Sequence, residues 1–433
     1  MSSDIHVQDI SRLNLSLVEN EISFQDILNS CYDKIQSNEG KIRAWKYIIP
    51  IEQQLPPKVF GSLFGLCLGV KDIFATIDAP TTMGTDDLTW RGTQGSFDAR
   101  VISKIRAAGA TIVGKNKTAE FAVHEPTDTI NPRNSKLTPG TSSGGGAAAV
   151  AAGHISVSIS SQTAGSIARP SSYCGVIGFK PTFGELPRTG VLKTTESFDT
   201  IGLIGNSISN ISAVFNVARV HDLNHPLHLK RSSNKFENVR VLHAIGPTFD
   251  SASDTTRQAA IALASSLMGG ANLFDLAFET TIDFKNLRIC HEDIYAKELA
   301  YFLKDELCSK NISPGLRAFG QYGAELPIQV YQERVRFLNI QRRLSDLELN
   351  NSIIFALSAA AEAPSIGEND LLDANLFWTS LGLPQISLPL LKSESGDPIG
   401  ISIIGFRGSD THLLNLAQSI FPNQINESSE FTH

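Results

Sequence analysis

Residues 140–153 read GTSSGGGAAAVAAG. Crowded glycines beside two hydroxyls suggest a phosphate cradle, but that chemistry needs more. A P-loop carries GxxxxGK followed by Ser or Thr, because the lysine meets the phosphates and the hydroxyl holds magnesium. Here the glycines run into alanines, and the dinucleotide pattern GxGxxG with a downstream acid is missing too. What remains is a helix of small residues, able to press against a strand and carrying a partial positive charge at its N-terminus. The neighbouring SVSIS (156–160) and CGVIGF (174–179) read as short buried strands. Upstream, ARVISKIRAAGATIVGK (99–115) is an amphipathic helix closed at Gly109, followed by a strand. Such alternation predicts an α/β layer fold with a sheet covered by helices.

A second loop of the same character follows at 160–184, SSQTAGSIARPSSYCGVIGFKPTFG. Its small residues Thr163, Ala164, Gly165 and Ser166 can aim consecutive backbone N–H groups at one point, as an oxyanion hole requires. The pairing of PGTSSGG (139–145) with TAGSIARPSSYCGVIGFKPT, preceded by LGVKDIF (68–74), resembles the amidase signature family of serine hydrolases. RAWKYI (43–48), AAGATIVGKNKTAEFA (107–122), LGLPQISLPLL (381–391) and DPIGISIIGFRG (397–408) extend the resemblance over nearly the whole chain. It implies one domain over 1–433, with a central mixed twisted β-sheet covered on both faces by helices. Within it lie N-terminal helices (1–55), a signature core (60–210), a helical insertion or cap (210–350), and a return to the sheet with a last helix (351–421).

The resemblance also assigns roles. Ser166 becomes the nucleophile, Ser142 the bridging serine, entered through a cis Thr141–Ser142 peptide, and Lys71 the base. The amides of Thr163, Ala164, Gly165 and Ser166 become the oxyanion hole. Phe121, Ala122, His124 and Thr141 are expected to meet substrate, with Ser143, Ser161, Gln162 and Arg169 in support. No metal or organic cofactor is implied, since a lysine–serine relay replaces both, and a homodimer is a family expectation. The chemistry is coherent: serine needs a base within hydrogen-bond reach, and lysine serves only when burial keeps it neutral. Lys71 is flanked by Leu68, Val70 and Ile73, although residue type alone does not favour it over Lys115 or Lys180. Asp72 reads as a loop cap, His124 as structural or substrate-facing, Cys174 as core within a strand.

Several family members read GGSSGG and SDTGGSIRxP where this chain has GTSSGG and SQTAGSIARP. Gln162 stands for an acid, Ala164 for a glycine, and the arginine comes one place later. These departures resemble a branch other than the glutaminase subunit of glutamyl-tRNA amidotransferase, which stays as an alternative beside a catalytically silent scaffold. No basic pair awaits a substrate carboxylate, so a small neutral amide or a carbamate (a urethanase substrate) is expected.

Composition bounds the rest. Of 433 residues, 42% are hydrophobic and 19% charged, with a net charge of −7 and no basic block for nucleic acid. Five scattered cysteines without metal spacing argue for a reducing compartment. MSSDIHVQDI lacks the signal-peptide pattern and no apolar run is membrane-length, so a cytoplasmic protein without membrane contact is expected. Residues 5–37 read as two helices around SLVENEIS, with Ser23 an N-cap. Toward the C-terminus, SESGDP (393–398) turns between two strands, THLLNLAQSIF (411–421) is a last helix, and a frayed polar tail follows.

Overall fold

The computed structural model describes residues 4–54, 56, 60–85, 97–123, 125–220, 239–244, 251–270, 272–368 and 374–422. The expected frayed tail lies outside them. Two helices open the fold, α1 (Ile10–Val18) and α2 (Phe24–Ile42). Ser23 caps α2 in a reciprocal capping box with Asp26, as its sequence signature predicts.

The described strands form one mixed sheet. In chain order they are β1 (Trp45–Ile48), β2 (Cys67–Lys71), β3 (Thr111–Asn116), β4 (Val157–Gln162), β5 (Ile177–Lys180) and β6 (Thr200–Gly205). Then come β7 (Arg240–His243), β8 (Phe274–Asp275), β9 (Ser352–Leu357), β10 (Gln385–Lys392) and β11 (Pro398–Ile404). Across the sheet the order is β1-β3-β2-β4-β6-β5-β10-β11-β9-β7-β8. β2 runs parallel to both β3 and β4, whereas β4, β6, β5, β10, β11 and β9 alternate in direction. The mixed sheet flanked by helices is the expected fold class.

The glycine-rich stretch forms the helix α4 (Gly144–Ala151), buried along its full length. α3 (Arg100–Ala107) precedes it and turns its Val101, Ile102 and Ile105 inward. Small residues in α4 are a steric requirement. A Cβ on Gly145 would stand 2.5 Å from the Lys117 carbonyl oxygen and 2.7 Å from that of Ala44, both backbone atoms. A Cβ on Gly146 would stand 2.5 Å from Ser158 Oγ on β4. The helix α5 (Ala168–Cys174) follows β4 and ends at Gly175, whose φ is +61°. Cys174 is therefore the last helical residue and not part of a strand, because the left-handed glycine after it closes the helix. It is still core, fully buried.

Between α6 (Ile208–Ala218) and β9 the chain is mainly helical, with helices at Asp254–Leu267, Phe284–Phe302, Pro314–Glu325 and Ile328–Glu348. It is not purely helical: β7 pairs in parallel with β9 and β8 with β7, so this segment extends the same sheet. Among the described residues no helix is long and apolar enough to cross a membrane.

Candidate active site

Lys71 ends β2, and its side chain is covered on all sides. Nζ lies 2.7 Å from Ser142 Oγ, 3.0 Å from Ser143 Oγ and 3.1 Å from Ser161 Oγ. Burial brings its pKa down from 10.5 to about 7, with the Asp199 carboxylate opposing the shift. The two rival lysines are buried as well but engaged otherwise. Lys115 pairs with Asp72 at 3.5 Å and donates to the Phe74 carbonyl at 2.6 Å. Lys180 donates to the carbonyls of Leu383 and Pro181. Of the three, Lys71 alone has serine hydroxyls for all its partners. Asp72 caps a turn, accepting from the amide of Thr82 at 3.1 Å and from its hydroxyl.

Ser142 and Ser143 precede α4, which β2 and β4 hold from beneath. The expected cis peptide at Thr141–Ser142 is not present: every described peptide bond is trans. Left-handed residues turn the chain instead, Gly140 at φ +89° and Ser142 at φ +67°. Gly140 also needs to lack a Cβ, which would stand 2.9 Å from Pro170. Two left-handed residues reverse the chain around a β-branched Thr141 that crowds a cis bond. In this conformation Ser142 Oγ donates to the Ala122 carbonyl at 3.0 Å. Ser166, partly exposed in the loop between β4 and α5, has no side-chain hydrogen bond among the described residues. The Lys71–Ser142 joint is thus closed, and the Ser142–Ser166 joint is open.

Residues 163–166 carry the clearest polarity. Among the described residues, none of their four backbone N–H groups has an acceptor, whereas the carbonyls of the first three are tied. The Thr163 carbonyl meets His291 Nε2 at 2.9 Å, that of Ala164 accepts from Thr379 Oγ1 at 2.8 Å, and that of Gly165 from the Arg169 amide at 3.0 Å. Gln162 accepts through Oε1 from the amides of Ile167 (2.9 Å) and Ala168 (3.1 Å). Its Nε2 donates to Thr379 and Gln385. Gln162 therefore braces the exit of the loop.

The remaining expected residues fall as follows. Ala122 touches the site through its carbonyl, and Thr141 is partly exposed beside Ser142. Phe121 is fully buried at φ +47° and packs into the core. His124 lies outside the described residues. Arg169 overlies Gly165: a Cβ there would stand 3.3 Å from its Nη2. A cavity of about 20 Å³ adjoins Ala122, Ser161 and Thr163 and is also lined by Arg188 and Lys193. Both cations are bridged by Glu196, at 2.6 and 2.5 Å. A larger cleft of about 890 Å³, lined by Lys117, Glu120, Glu125 and Asp128, touches none of Lys71, Ser142 and Ser166.

Sequence reasoning missed Asp199, His291 and Thr379. Asp199 had a signal in TTESFDTIG, an acid amid hydroxyls before a buried strand. Its carboxylate accepts from Thr163 Oγ1 at 2.7 Å and from the hydroxyls of Thr194 (2.8 Å) and Thr195 (2.9 Å). His291 and Thr379 reach the loop from 128 and 215 residues away and had none.

Comparison with known proteins identifies a family. The sequence profile of the family described as Amidase matches residues 27–244. The A subunit of glutamyl-tRNA(Gln) amidotransferase from Chloroflexus aggregans is 31% identical over 236 residues, covering 51% of this chain. That match spans 48% of the relative, about half its length. The corresponding protein of Bacillus licheniformis is 28% identical over 477 aligned positions, covering 95% of this chain and 96% of the relative. Among solved structures, the native peptide amidase of Stenotrophomonas maltophilia superposes with a TM-score of 0.81 at 20% identity, covering 98% and 99% of the two chains.

Proposed function

This chain belongs to the amidase family, and from that premise we propose that it hydrolyses a carboxamide through an acyl-enzyme on Ser166. The observation that carries the reading is a lysine whose burial lowers its pKa to about 7, set among serine hydroxyls beside a loop of four amides without acceptors among the described residues. In the first half-reaction Ser166 Oγ attacks the substrate carbonyl carbon, and its proton passes to Ser142 as the Ser142 proton passes to Lys71. The oxyanion forms against the amides of residues 163–166, where each donor contributes on the order of 3 kcal/mol. Collapse breaks the C–N bond, and the proton returns through Ser142 to the leaving amine. Water then repeats the sequence on the ester. The relay rests on the 2.7 Å Lys71–Ser142 contact and not on a peptide isomer. Its second joint closes when substrate binding draws the Ser142 hydroxyl off the Ala122 carbonyl, since catalytic hydrogen bonds are often long without substrate and tighten in the complex.

Two substrate settings share this chemistry. The curated relatives support the first better: an amidotransferase component that releases ammonia from glutamine within an assembly. Gln162 and Ala164, where such components carry an acid and a glycine, favour the second, a free-standing hydrolase of a small neutral amide or carbamate. Intact mass after a fluorophosphonate probe, on wild type and Ser166→Ala, tests the shared chemistry. One adduct on wild type and none on the variant is expected; equal labelling removes Ser166 as nucleophile. Ammonia release from glutamine and from small amides by the isolated chain then separates the settings. Turnover of small amides alone supports the free-standing hydrolase, and a silent but probe-reactive chain supports the amidotransferase component.

A further inference from the structure

We infer that the helix Phe284–Phe302, outside the signature motifs, sets the direction of the Ala164 oxyanion amide, with His291 as its positioning residue; this rests on the reading of residues 163–166 given above. A peptide unit is planar, so its C=O and the next residue's N–H point in opposite directions. Holding the Thr163 carbonyl therefore aims the Ala164 N–H. The Thr379 bond to the Ala164 carbonyl aims the Gly165 N–H in the same way, and the Arg169 amide aims that of Ser166. The first anchor is His291, whose Nε2 carries the proton because a carbonyl oxygen only accepts.

The same helix grips Thr163 a second time, indirectly. Thr163 Oγ1 donates to Asp199, which is held in the 194–199 loop by the amides and hydroxyls of Thr194 and Thr195. That loop is anchored on Glu298, which accepts from the Glu196 amide at 2.8 Å, the Ser197 amide at 2.9 Å and the Ser197 hydroxyl at 2.6 Å. His291 and Glu298 are seven residues apart, two helical turns, and so share a face. His291 is itself fixed, stacked on Phe198 with centroids 4.5 Å apart and met edge-on by Tyr295 at 5.9 Å. One rigid helix thus holds both the backbone and the side chain of Thr163.

The test is the rate at which a fluorophosphonate labels Ser166 in the full chain, because phosphonylation places an oxygen against the same amides. His291→Phe keeps the stack on Phe198 and removes the donor; His291→Leu is a second donor-less variant, and His291→Gln restores an N–H donor. The donor-less variants are expected to lose about tenfold to a hundredfold in maximal labelling rate, the scale of a small misplacement at a reacting centre. Their half-saturating probe concentration should stay within about threefold of wild type, and His291→Gln should recover most of the rate. Either donor-less variant suffices if its Tm lies within about 2 °C of wild type. Wild-type labelling by such a variant overturns the inference, as does a His291→Gln no faster than His291→Phe. Failure of wild type itself to label overturns the functional reading and this inference with it.

Discussion

Lys71 shows how a residue acquires chemistry from its surroundings. It shares burial with Lys115 and Lys180, and its partners decide between them: Lys115 faces a carboxylate and Lys180 two carbonyls that carry no proton to relay, whereas Lys71 faces three hydroxyls. A base must be neutral to accept a proton, so kcat/KM should rise with pH through about 7 and level off above it. Asp199 holds that pKa up, and Asp199→Asn should therefore move the acid limb to lower pH while slowing the plateau through the loosened Thr163. A pH–rate series on both proteins checks this; a limb that stays put or moves upward removes Asp199 from the electrostatics of Lys71. Lys71 and Ser142 stood out in the sequence only through the family resemblance, whereas the 163–166 loop also stood out by its run of small residues. The peptide isomer at Ser142 was not legible, because two left-handed residues achieve the same reversal without it. His291 and Thr379 were hidden for a different reason: their signal is spatial and the sequence separation is long.

At the scale of the element, α4 explains the stretch of sequence that first looked like a phosphate site. Its glycines exist for approach, since a Cβ at Gly145 would meet two backbone carbonyls that cannot give way. Gly145→Ala should therefore destabilise the protein by about 1–3 kcal/mol. Gly40→Ala in the exposed part of α2, with nothing within 4 Å, should instead be neutral or stabilise by roughly 0.5–1 kcal/mol. Urea unfolding midpoints of the two variants check the contrast, and equal shifts would remove the steric account. In the signature core α3, β3, α4 and β4 were readable from period and punctuation. α5 was misread at its end because CGVIGF is apolar throughout, and the Gly175 stop carried the information. β7 and β8 were missed because so short a pair, set between long amphipathic helices, carries too few residues for its alternation to show.

The molecule as a whole is stitched at its start by two buried histidines. His6 bonds Ser30 Oγ and the Gly153 carbonyl, each at 2.8 Å. His154 accepts from Trp45 Nε1 at 3.1 Å and bonds Asn38. Burial lowers their pKa values from 6.5 to about 4 and about 3. With folded values below the unfolded one, their contribution is full above pH 6.5 and is lost as pH falls toward 4 and 3, because the unfolded chain binds the protons first. Melting temperature should accordingly drop between pH 6.5 and 4, and His6→Gln should flatten that slope by up to about one proton. A slope unchanged in the variant would take His6 out of the acid response. The sheet order has a temporal consequence as well. β10 lies beside β5, and Thr379 and Gln385, which brace the Ala164 carbonyl and Gln162, are synthesised more than 200 residues after the loop they support. At ribosomal speeds of about 5–20 residues per second, that is a delay of roughly ten to forty seconds. A nascent chain therefore carries Ser166 in a loop whose brace is absent until β10 has been made.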